Sequence, residues 1–580
     1  MRAATPAESI RTAFACGVLA LGVCLTTIYA TPGDAYWIVD SGAKALISRR
    51  LLESGYAQLD LGYPAADLDP EGGAFPIPPP FAVRRGDGFV SQYPPAYSAL
   101  AVPFLAVLGE RGLRLPAALG NAACAWLFAF WIAPVLGRRW AFAGGLFLAL
   151  ATPLYFYGVT VWEHSLCVAL PLAACVLLAR PGRWRLVAAG ALVAAACWLR
   201  AELALMGLAI AAACVARRRR WADVAALALG AAPLVAALLA FNAGVYGSPL
   251  GPHLSGNVGM PEVAGPGGFA ALMRDAGALL AAYGGGPREG AVLLGALVAC
   301  LVVGALAARR ERATAAVTNI ALAVGVVASL LGSLRISQAA VPFHTLPYYN
   351  GLMLQAPVIC LAGIGAVQVW RRREYAALRL GVGAGLLFLA LGAALRVLLT
   401  DFSSGGHWGP RMLLPAMPAL VALGIAALRS GLGVARGPLR KLTAATAMAL
   451  ALACLASSGV ATWLLDRQKR EVRELQTAIL SAPQQVVVTN YPALGQQLAA
   501  IWGRKPMLLV GGESVGRVLA AARRNGLEEF LFLHRPPTGR SLGRIPGAHC
   551  SLAGQHRGRY APVVFDLDLQ SCTTLPRARR

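Results

Sequence analysis

Charged residues are scarce in this sequence. Asp, Glu, Lys and Arg together make up 14% of the 580 residues, whereas 57% are hydrophobic, and the mean hydropathy is +0.60. A soluble protein of this length would expose far more charge. The scarcity of charge therefore excludes a soluble globular protein and predicts a polytopic α-helical membrane protein.

The sequence also lacks any spacing of cysteine and histidine that would build a zinc site. Ten of its twelve cysteines lie within apolar stretches, where thiols behave as small hydrophobic groups. Only Cys550 and Cys572 fall in the polar C-terminal part. They would form a disulfide if that part faces an oxidising compartment.

A formal charge of +25 would first suggest a nucleic-acid partner. Most of the basic residues, however, form short clusters between apolar stretches, and cytoplasmic loops of membrane proteins retain Lys and Arg. The positive charge thus reports membrane orientation, and we expect no nucleic-acid partner. The clusters are Arg138/Arg139, Arg180/Arg183/Arg185, Arg217–Arg220, Arg309/Arg310/Arg312, Arg371–Arg373 and Arg429/Arg436/Arg440/Lys441.

About thirteen apolar stretches are candidates for transmembrane helices, each of which needs about 20 residues. With the N-terminus and all six basic clusters in the cytoplasm, the C-terminal tail lies outside the cell membrane. The first stretch is followed by others, so we interpret it as an uncleaved helix. The candidates are 12–31, 115–136, 140–158, 165–180, 186–199, 203–216, 222–241, 289–307, 313–333, 350–370, 375–397, 412–428 and 442–464.

The long connections all fall on the outer side, so function is expected there. The first outer loop, 32–114, begins with "SGAKALISRRLLESG", which predicts a helix lying along the membrane surface. In the tail, "QQVVVTN", "KPMLLVG" and "EEFLFLHR" resemble short buried strands, with helical stretches between them. The sequence therefore predicts a transmembrane catalytic module over 1–465 and a small soluble α/β domain with a partly parallel sheet over 466–580.

The polar residues at the outer ends of the apolar stretches are the candidate site residues. Charged groups at membrane depth are costly and tend to face a cavity. The alternative for each one is a solvated group at the membrane interface. The candidates are Asp34, Asp40, Glu163, His164, Arg200, Glu202, Asn242, His253, Arg335, His344, Asp401, His407 and Arg411.

Four stretches resemble the GT-C glycosyltransferase superfamily. They are "GDAYW" after the first span, "QYPPAY" before the second, "RLPAALGNAACAWLFAFWIAPVLGRRWAFAGGLFLALATPLYFYG" and "WGPRMLLPAMPAL". In order and topology they are similar to bacterial lipid-linked-sugar transferases, including the aminoarabinose and protein O-mannosyl transferases. The resemblance covers about residues 10–465 in layout.

This resemblance implies a sugar donor carried on a polyprenyl phosphate and a cell-envelope acceptor (glycan, lipid or protein). The signature acid of the family lies just beyond the first span, which matches Asp34, and Asp40 is its rival. A further acidic motif in the next outer loop is matched loosely by Glu163 and His164. An Asp-x-Asp or Glu-x-Asp pair would be the usual form, so no cofactor is indicated and a divalent metal ion is left open.

The chemistry of such a transfer needs one base and one anion site. A carboxylate, here Asp34, would take the proton of the attacking hydroxyl, and the leaving phosphate would need only fixed positive charge. Arg411 is the first choice for that charge. The second choices are His407, Arg200 and Arg335, and Tyr93, Trp162, His164, Asn242 and His253 are candidates for sugar or acceptor contacts.

Two other interpretations stay open at this point. The aromatic residues Tyr36, Trp37, Tyr93 and Trp162 would also suit a membrane interface, where such rings are enriched. The alternative function is a transporter or flippase of lipid-linked sugars. A transporter would place ionisable groups near mid-bilayer, whereas these cluster at span ends on one side.

Overall fold

The computed structural model describes residues 5–218, 220–252, 280, 287–338, 351–399, 410–511, 515–535, 545–558 and 566–575. The chain divides into two compact units. The membrane unit comprises the described residues of 5–27, 116–339 and 346–462. The loop-and-tail unit comprises those of 28–115 and 463–575.

Helices dominate the chain, and they are numbered here in order along the sequence. They are α1 Pro6–Ala30, α2 Val39–Glu53, α3 Ala96–Leu108, α4 Leu115–Leu136, α5 Arg138–Leu150, α6 Leu154–Gly158, α7 His164–Leu178, α8 Arg183–Leu199, α9 Ala204–Arg218, α10 Trp221–Tyr246, α11 Pro287–Ala307, α12 Glu311–Gln338, α13 Leu352–Gln355, α14 Ala362–Arg371, α15 Arg379–Leu399, α16 Met417–Val434, α17 Gly437–Ser481, α18 Leu494–Gln497 and α19 Val515–Arg524.

Each of the thirteen predicted apolar stretches coincides with one or more of these helices. Within the described residues, seven helical segments are long and apolar enough to cross a membrane. Shorter apolar helices, such as α7, accompany them. The prediction of a polytopic helical membrane protein is confirmed, because long uncharged helices satisfy their own backbone groups where water is absent.

Close packing of α4 against α7 fixes the start of α7. A Cβ atom added at Gly120 would lie 2.8 Å from both the Ser165 hydroxyl and the backbone nitrogen of Leu166, closer than real Cβ contacts come. The Ser165 hydroxyl donates to the carbonyl of Ala117 at 2.7 Å. Only glycine allows this approach, which holds in place the turn that carries Glu163 and His164.

The first outer loop belongs to the loop-and-tail unit. Its helix α2 is present where the sequence predicted a helix, but ten of its fifteen residues are buried. At Gly42 a Cβ atom would lie 1.8 Å from the carbonyl oxygen of Gln496, so α2 packs directly against the backbone of α18. Much of this helix is therefore covered by protein, which a helix lying on the membrane surface would not be. A hairpin of β1 (Ala82–Arg85) and β2 (Gly88–Ser91) follows it.

The tail forms a five-stranded sheet that is parallel on one side. Its strands are β3 Val487–Thr489, β4 Met507–Leu509, β5 Glu529–His534, β6 Ala548–His556 and β7 Leu567–Thr574. The order is β4-β3-β5-β7-β6, with β3 parallel to β4 and β5, and β7 antiparallel to β5 and β6. The predicted partly parallel α/β sheet is confirmed, and its three buried strands are β3, β4 and β5.

Strands β6 and β7 extend the sheet beyond what the sequence predicted. Their residues Cys550 and Cys572 face each other across the antiparallel pair and form a disulfide. The other ten cysteines are free thiols and all are buried, as expected of small hydrophobic side chains. The bond joins the edge strand β6 to the rest of the sheet.

His534, at the end of β5, is buried and accepts a hydrogen bond. Its Nδ1 lies 3.0 Å from the side-chain nitrogen of Asn490, so the amide donates to a neutral imidazole. Burial lowers the pKa of His534 from its ordinary value, and only the nearby Asp568 opposes this. His534 therefore binds a proton more tightly in the unfolded chain than in the folded sheet.

We predict that the sheet loses stability as the pH falls below about 6.5, the ordinary histidine pKa. Hydrogen exchange of the β5 amides in the full-length protein, corrected for intrinsic exchange rates, should show less protection at about pH 5.5 than at about pH 7.5. His534→Gln should flatten this dependence, whereas His549→Gln, at an exposed position of β6, should not. Equal protection at both pH values would contradict the prediction.

Candidate functional site

The membrane unit contains a buried ionic cluster in which one arginine binds two glutamates. The Arg200 guanidinium donates from NH1 to Glu163 Oε1 at 2.9 Å and from Nε to Glu202 Oε1. Glu163 is 1% exposed and Arg200 is 7% exposed. Because a lone buried charge is strongly unfavourable, each of these groups depends on the others.

Helix ends position this cluster. Glu163 is the N-terminal cap residue of α7, and Arg200 is the C-terminal cap residue of α8. A carboxylate is favourable at the positive end of a helix dipole, and a guanidinium at the negative end. Glu202 lies in the 3-10 turn Ala201–Leu203 that joins α8 to α9. The local backbone thus places opposite charges where each helix end stabilises them.

Aromatic rings line one side of the cluster. The rings of Tyr157, Trp162 and His164 lie 4.7 to 5.5 Å apart, in edge-to-face or tilted contacts. The Arg411 guanidinium lies 4.8 Å from the centre of the Trp162 ring, a cation-π contact. Arg411 begins the 3-10 turn Arg411–Ala416 that leads into α16. A second guanidinium, that of Arg411, therefore lies beside these three aromatic rings.

Six of the residues predicted from the sequence meet in this cluster: Trp162, Glu163, His164, Arg200, Glu202 and Arg411. Glu202 was a candidate by its place in "WLRAEL", two residues from Arg200, but the sequence assigned no role to it.

The other candidates of the membrane unit lie elsewhere. Asn242, near the end of α10, donates to the carbonyl of Pro249 at 3.1 Å and stabilises a local turn. Arg335 lies in α12, but its side chain is outside the described part of the structure. The candidates His253, His344, Asp401 and His407 also lie outside the described residues.

Asp34 lies in the loop-and-tail unit, where it is paired with an arginine from α17. Arg473 donates to Asp34 Oδ1 from Nε at 3.0 Å and from NH2 at 2.5 Å. The Asp34 side chain is 43% exposed and that of Arg473 is 47% exposed. Among the described residues, Oδ2 of Asp34 accepts no hydrogen bond. Asp34 is thus an oriented carboxylate that solvent or a ligand can reach.

Buried cations hold the backbone just before Asp34. Arg114 is fully buried; it donates to the hydroxyl of Thr31 at 2.7 Å and to the carbonyl of Pro32. The Lys469 ammonium donates to the same Pro32 carbonyl at 3.1 Å. Buried carbonyl groups need such donors once water is excluded. Neither cation was a sequence candidate, because both partners are backbone atoms.

Glutamine side chains hold the backbone on the other side of Asp34. The Gln476 amide donates to the carbonyl of Asp34 itself at 3.1 Å. The Gln468 amide donates to the carbonyls of Tyr36 and Trp37 at 3.0 and 3.2 Å, and the Gln497 amide also donates to Tyr36. Side chains far away in sequence therefore fix the direction in which Asp34 points.

Asp40 and Tyr93, two further candidates, form a buried pair in the same unit. The Tyr93 hydroxyl donates to Asp40 Oδ1 at 2.7 Å. The Lys44 ammonium lies 5.0 Å from the centre of the Tyr93 ring. Asp40 is buried, whereas the Asp34 side chain is partly exposed. Of the two rival acids, Asp34 is the accessible one.

Tyr36 and Trp37 are not interface anchors, because both are buried within the unit. The Tyr36 hydroxyl donates to Glu110 Oε2 at 2.5 Å and accepts from Arg49 NH2 at 2.7 Å. Burial, above all, raises the pKa of Tyr36 well above its usual range; Arg49 opposes this rise and Glu110 adds to it. Burial acts to lower the pKa of Arg49, yet Tyr36 and Glu110 raise it overall.

Metal ligands do not gather in the described part of the chain: no group of three or more His, Cys, Asp or Glu side chains is close enough to hold an ion. Among the described residues of the membrane unit, the buried Glu163 and the half-buried Glu202 share the guanidinium of Arg200 as their cation. The predicted Glu163-His164 motif therefore serves an ion pair in this structure.

No protein-family model and no curated protein matches this chain. The structure is similar to ArnT from Cupriavidus metallidurans in the apo state, with a TM-score of 0.51 and 13% identity, over 96% of this chain and 97% of that one. It is also similar to ArnT from that organism bound to undecaprenyl phosphate (TM-score 0.43, 16% identity, the same coverages). A third similar structure is the archaeal oligosaccharyltransferase AglB from Archaeoglobus fulgidus, in complex with an inhibitory peptide and a dolichol-phosphate (TM-score 0.49, 13% identity, 90% of this chain and 69% of that one).

The likeness to apo ArnT shows the fold. This chain shares the fold of that protein, a polytopic helical membrane part with a small sheet domain, as the sequence predicted.

We predict that Arg200→Ala destabilises the membrane unit by about 3–5 kcal/mol, because it leaves the buried Glu163 and the half-buried Glu202 without their partner. Arg183→Ala, which removes an exposed charge at the other end of α8, is the matched control and should change stability by less than about 0.5 kcal/mol. Thermal unfolding in detergent measures both. A similar, small effect of the two variants would show that the cluster does not stabilise the fold.

Proposed function

We propose that this protein is a membrane glycosyltransferase that moves a sugar from a polyprenyl phosphate to an extracytoplasmic acceptor. Support comes first from the GT-C fold, which matches apo ArnT over almost the whole of both chains. The sequence stretches "GDAYW", "QYPPAY" and "WGPRMLLP" resemble the same superfamily independently of the fold. The donor class follows from that resemblance.

Asp34 is proposed as the general base. In the transfer, the acceptor hydroxyl oxygen attacks the anomeric carbon, and the bond from that carbon to the phosphate oxygen breaks. The phosphate leaves with the bonding electron pair, and the carboxylate takes the hydroxyl proton. The accessible Oδ2 of Asp34 suits this role, since Arg473 binds only Oδ1. Asp40 suits it less, because it is buried and already accepts from Tyr93.

Arg411 is proposed to bind the leaving phosphate. A phosphate needs positive charge that is not already offset by carboxylates. Arg200 uses Nε and NH1 for Glu163 and Glu202, so its charge is balanced within the cluster. The Arg411 guanidinium lies against the Trp162 ring and precedes helix α16, whose N-terminal end favours an anion. This position at a helix N-terminus supports Arg411 as the first choice.

We predict that Asp34→Asn lowers sugar transfer by about 10²–10⁴-fold, the usual contribution of a general base. Membranes that contain wild type or variant are incubated with a panel of radiolabelled polyprenyl-phosphate sugars, and transfer to endogenous acceptor is followed. The matched control is Asp67→Asn, which changes an exposed acid of the same outer loop and should retain wild-type activity.

The same assay distinguishes the competing explanations. If Asp34→Asn transfers sugar as fast as wild type, the base assignment fails. If the purified protein moves a donor across a vesicle membrane but never consumes it, a flippase replaces the transferase. Chelation of divalent cations before the assay shows whether such an ion takes part in the transfer. The proposal assigns no residue to bind one.

We further propose that the N-terminus is cytoplasmic and that the tail faces the oxidising outer compartment. The short loops of the membrane unit carry the basic clusters, as cytoplasmic loops do. The tail carries the disulfide Cys550–Cys572, a bond rare in the reducing cytoplasm. Both features favour the same orientation.

We predict that this disulfide is present in growing cells. Free thiols are blocked in denaturant, disulfides are then reduced, and the released thiols are tagged with a polyethylene-glycol maleimide. The wild type should gain two tags, Cys550→Ser none, and the membrane-unit control Cys124→Ser two. Wild-type protein without tags would place the tail in a reducing compartment and contradict the orientation.

A further inference from the structure

A half-open cavity of about 600 Å³ lies within the loop-and-tail unit. We call it the hairpin pocket, because the β1–β2 hairpin forms one wall; the end of α2, residues 60–66 and residues 500–504 form the others. Its volume is in the range of about 300–1,000 Å³ typical of small-ligand sites. None of the proposed catalytic residues lines it.

An aromatic wall borders the pocket. Tyr63, Phe89 and Trp502 all line it. Phe89 is stacked on Phe75 at 3.7 Å between ring centres, and Phe75 meets the edges of Tyr63 at 5.2 Å and Trp502 at 5.8 Å. These mutual contacts fix the rings before any ligand binds, so the aromatic wall needs no further ordering.

Charged groups of both signs form the polar part of the pocket. Three arginines line it, Arg49, Arg50 and Arg504, together with three acids, Glu53, Asp60 and Asp87. The charges therefore balance, and the pocket as a whole attracts neither a strong anion nor a strong cation. Guanidinium and carboxylate groups can each bind two neighbouring hydroxyl groups at once.

Some of these groups are held by the protein and others are available. Arg49 is fully engaged with Glu110, Tyr36 and the carbonyl of Ala499. Asp60 accepts from Arg50 at 3.2 Å and from the backbone nitrogen of Gly62 at 2.9 Å.

In contrast, the side chains of Glu53, Asp87 and Arg504 make no ion pair or hydrogen bond among the described residues. The pocket thus combines a fixed frame with three charged groups that a ligand could use.

We infer that the hairpin pocket binds a neutral or zwitterionic saccharide of two or three sugar units. A sugar ring has an apolar C–H face, which suits the aromatic wall, and hydroxyl edges, which suit the guanidinium and carboxylate groups. A peptide would need an extended groove or an unpaired strand edge, and an anionic ligand would need an excess of positive charge. The inference rests on the proposed function only in taking this saccharide as part of the transfer acceptor.

Arg49 connects the pocket to the segment that carries Asp34. It lines the pocket and also donates to the hydroxyl of Tyr36, two residues beyond Asp34. A saccharide seated in the pocket is therefore one side chain away from that segment. This contact within one unit is what makes an acceptor, rather than an unrelated sugar, the expected ligand.

Equilibrium binding to the full-length protein tests the inference. The protein is purified in lauryldimethylamine oxide, because maltoside detergents would themselves offer sugars. Saturation-transfer NMR and calorimetry are run with neutral, zwitterionic and uronic-acid trisaccharides, and with a tripeptide. At least one neutral or zwitterionic trisaccharide should bind, and more tightly than the uronic-acid trisaccharide or the tripeptide.

Two pocket variants should weaken that binding by about tenfold or more, the effect of losing one hydrogen bond to a charged group or one ring face. Arg504→Ala removes the available guanidinium, and Phe89→Leu keeps apolar volume but removes the ring face. Arg517→Ala, which changes an exposed arginine of α19 in the same unit, is the matched control and should bind like wild type.

Three results would overturn the inference: no trisaccharide binds, the two pocket variants bind like wild type, or only the tripeptide or the acidic sugar binds. The donor assay described for Asp34 is read separately. If the donor is consumed but the pocket binds no saccharide, the transferase proposal holds and the pocket proposal fails. If a saccharide binds but no donor is consumed, the pocket binds sugar in a protein that is not a transferase.

Discussion

Buried carbonyl groups that need hydrogen-bond donors organise the loop-and-tail unit. The chain leaves the first span through residues 31–37, a stretch with no helix or strand of its own, so its carbonyls lack the partners that regular structure supplies. Arg114 and Lys469 serve the carbonyl of Pro32, and glutamines from α17 and α18 serve those of Asp34 and Tyr36. Without these donors the backbone of residues 31–37 would have no single conformation, and the Asp34 side chain would have no fixed orientation.

In the membrane unit, buried charged groups also need partners. In its described part, the buried Arg200 lies between two glutamates, so that their charges offset one another. Such an arrangement stabilises the helix ends that carry it. The two carboxylates, however, also offset the positive charge of Arg200. Stability and phosphate binding therefore compete for the same guanidinium. We infer that Arg200 stabilises the fold and that Arg411 binds the leaving phosphate.

Sequence patterns predicted most of the elements and part of the site. Apolar length found the helices at every predicted stretch, and runs of buried residues found β3, β4 and β5. Strand β6 was missed because it is largely exposed and carries polar residues such as His549 and Gln555. Strand β7 is mostly buried, but Asp568, Gln570 and Ser571 interrupt its apolar pattern. Tyr36 was misjudged because an aromatic residue at a span end looks the same whether it meets lipid headgroups or a buried Glu110.

The sequence by itself determined the class of the protein, its helices and the position of the candidate acid beyond the first span, because hydrophobic length and charge clustering are local properties of the chain. Only the tertiary structure decided the partners. Glu163 and Arg200 are 37 residues apart, and Asp34 and Arg473 are 439 apart. Whether a carboxylate is buried in an ion pair or left accessible depends on which distant side chain reaches it. Folding brings those side chains together, and no local pattern records the outcome.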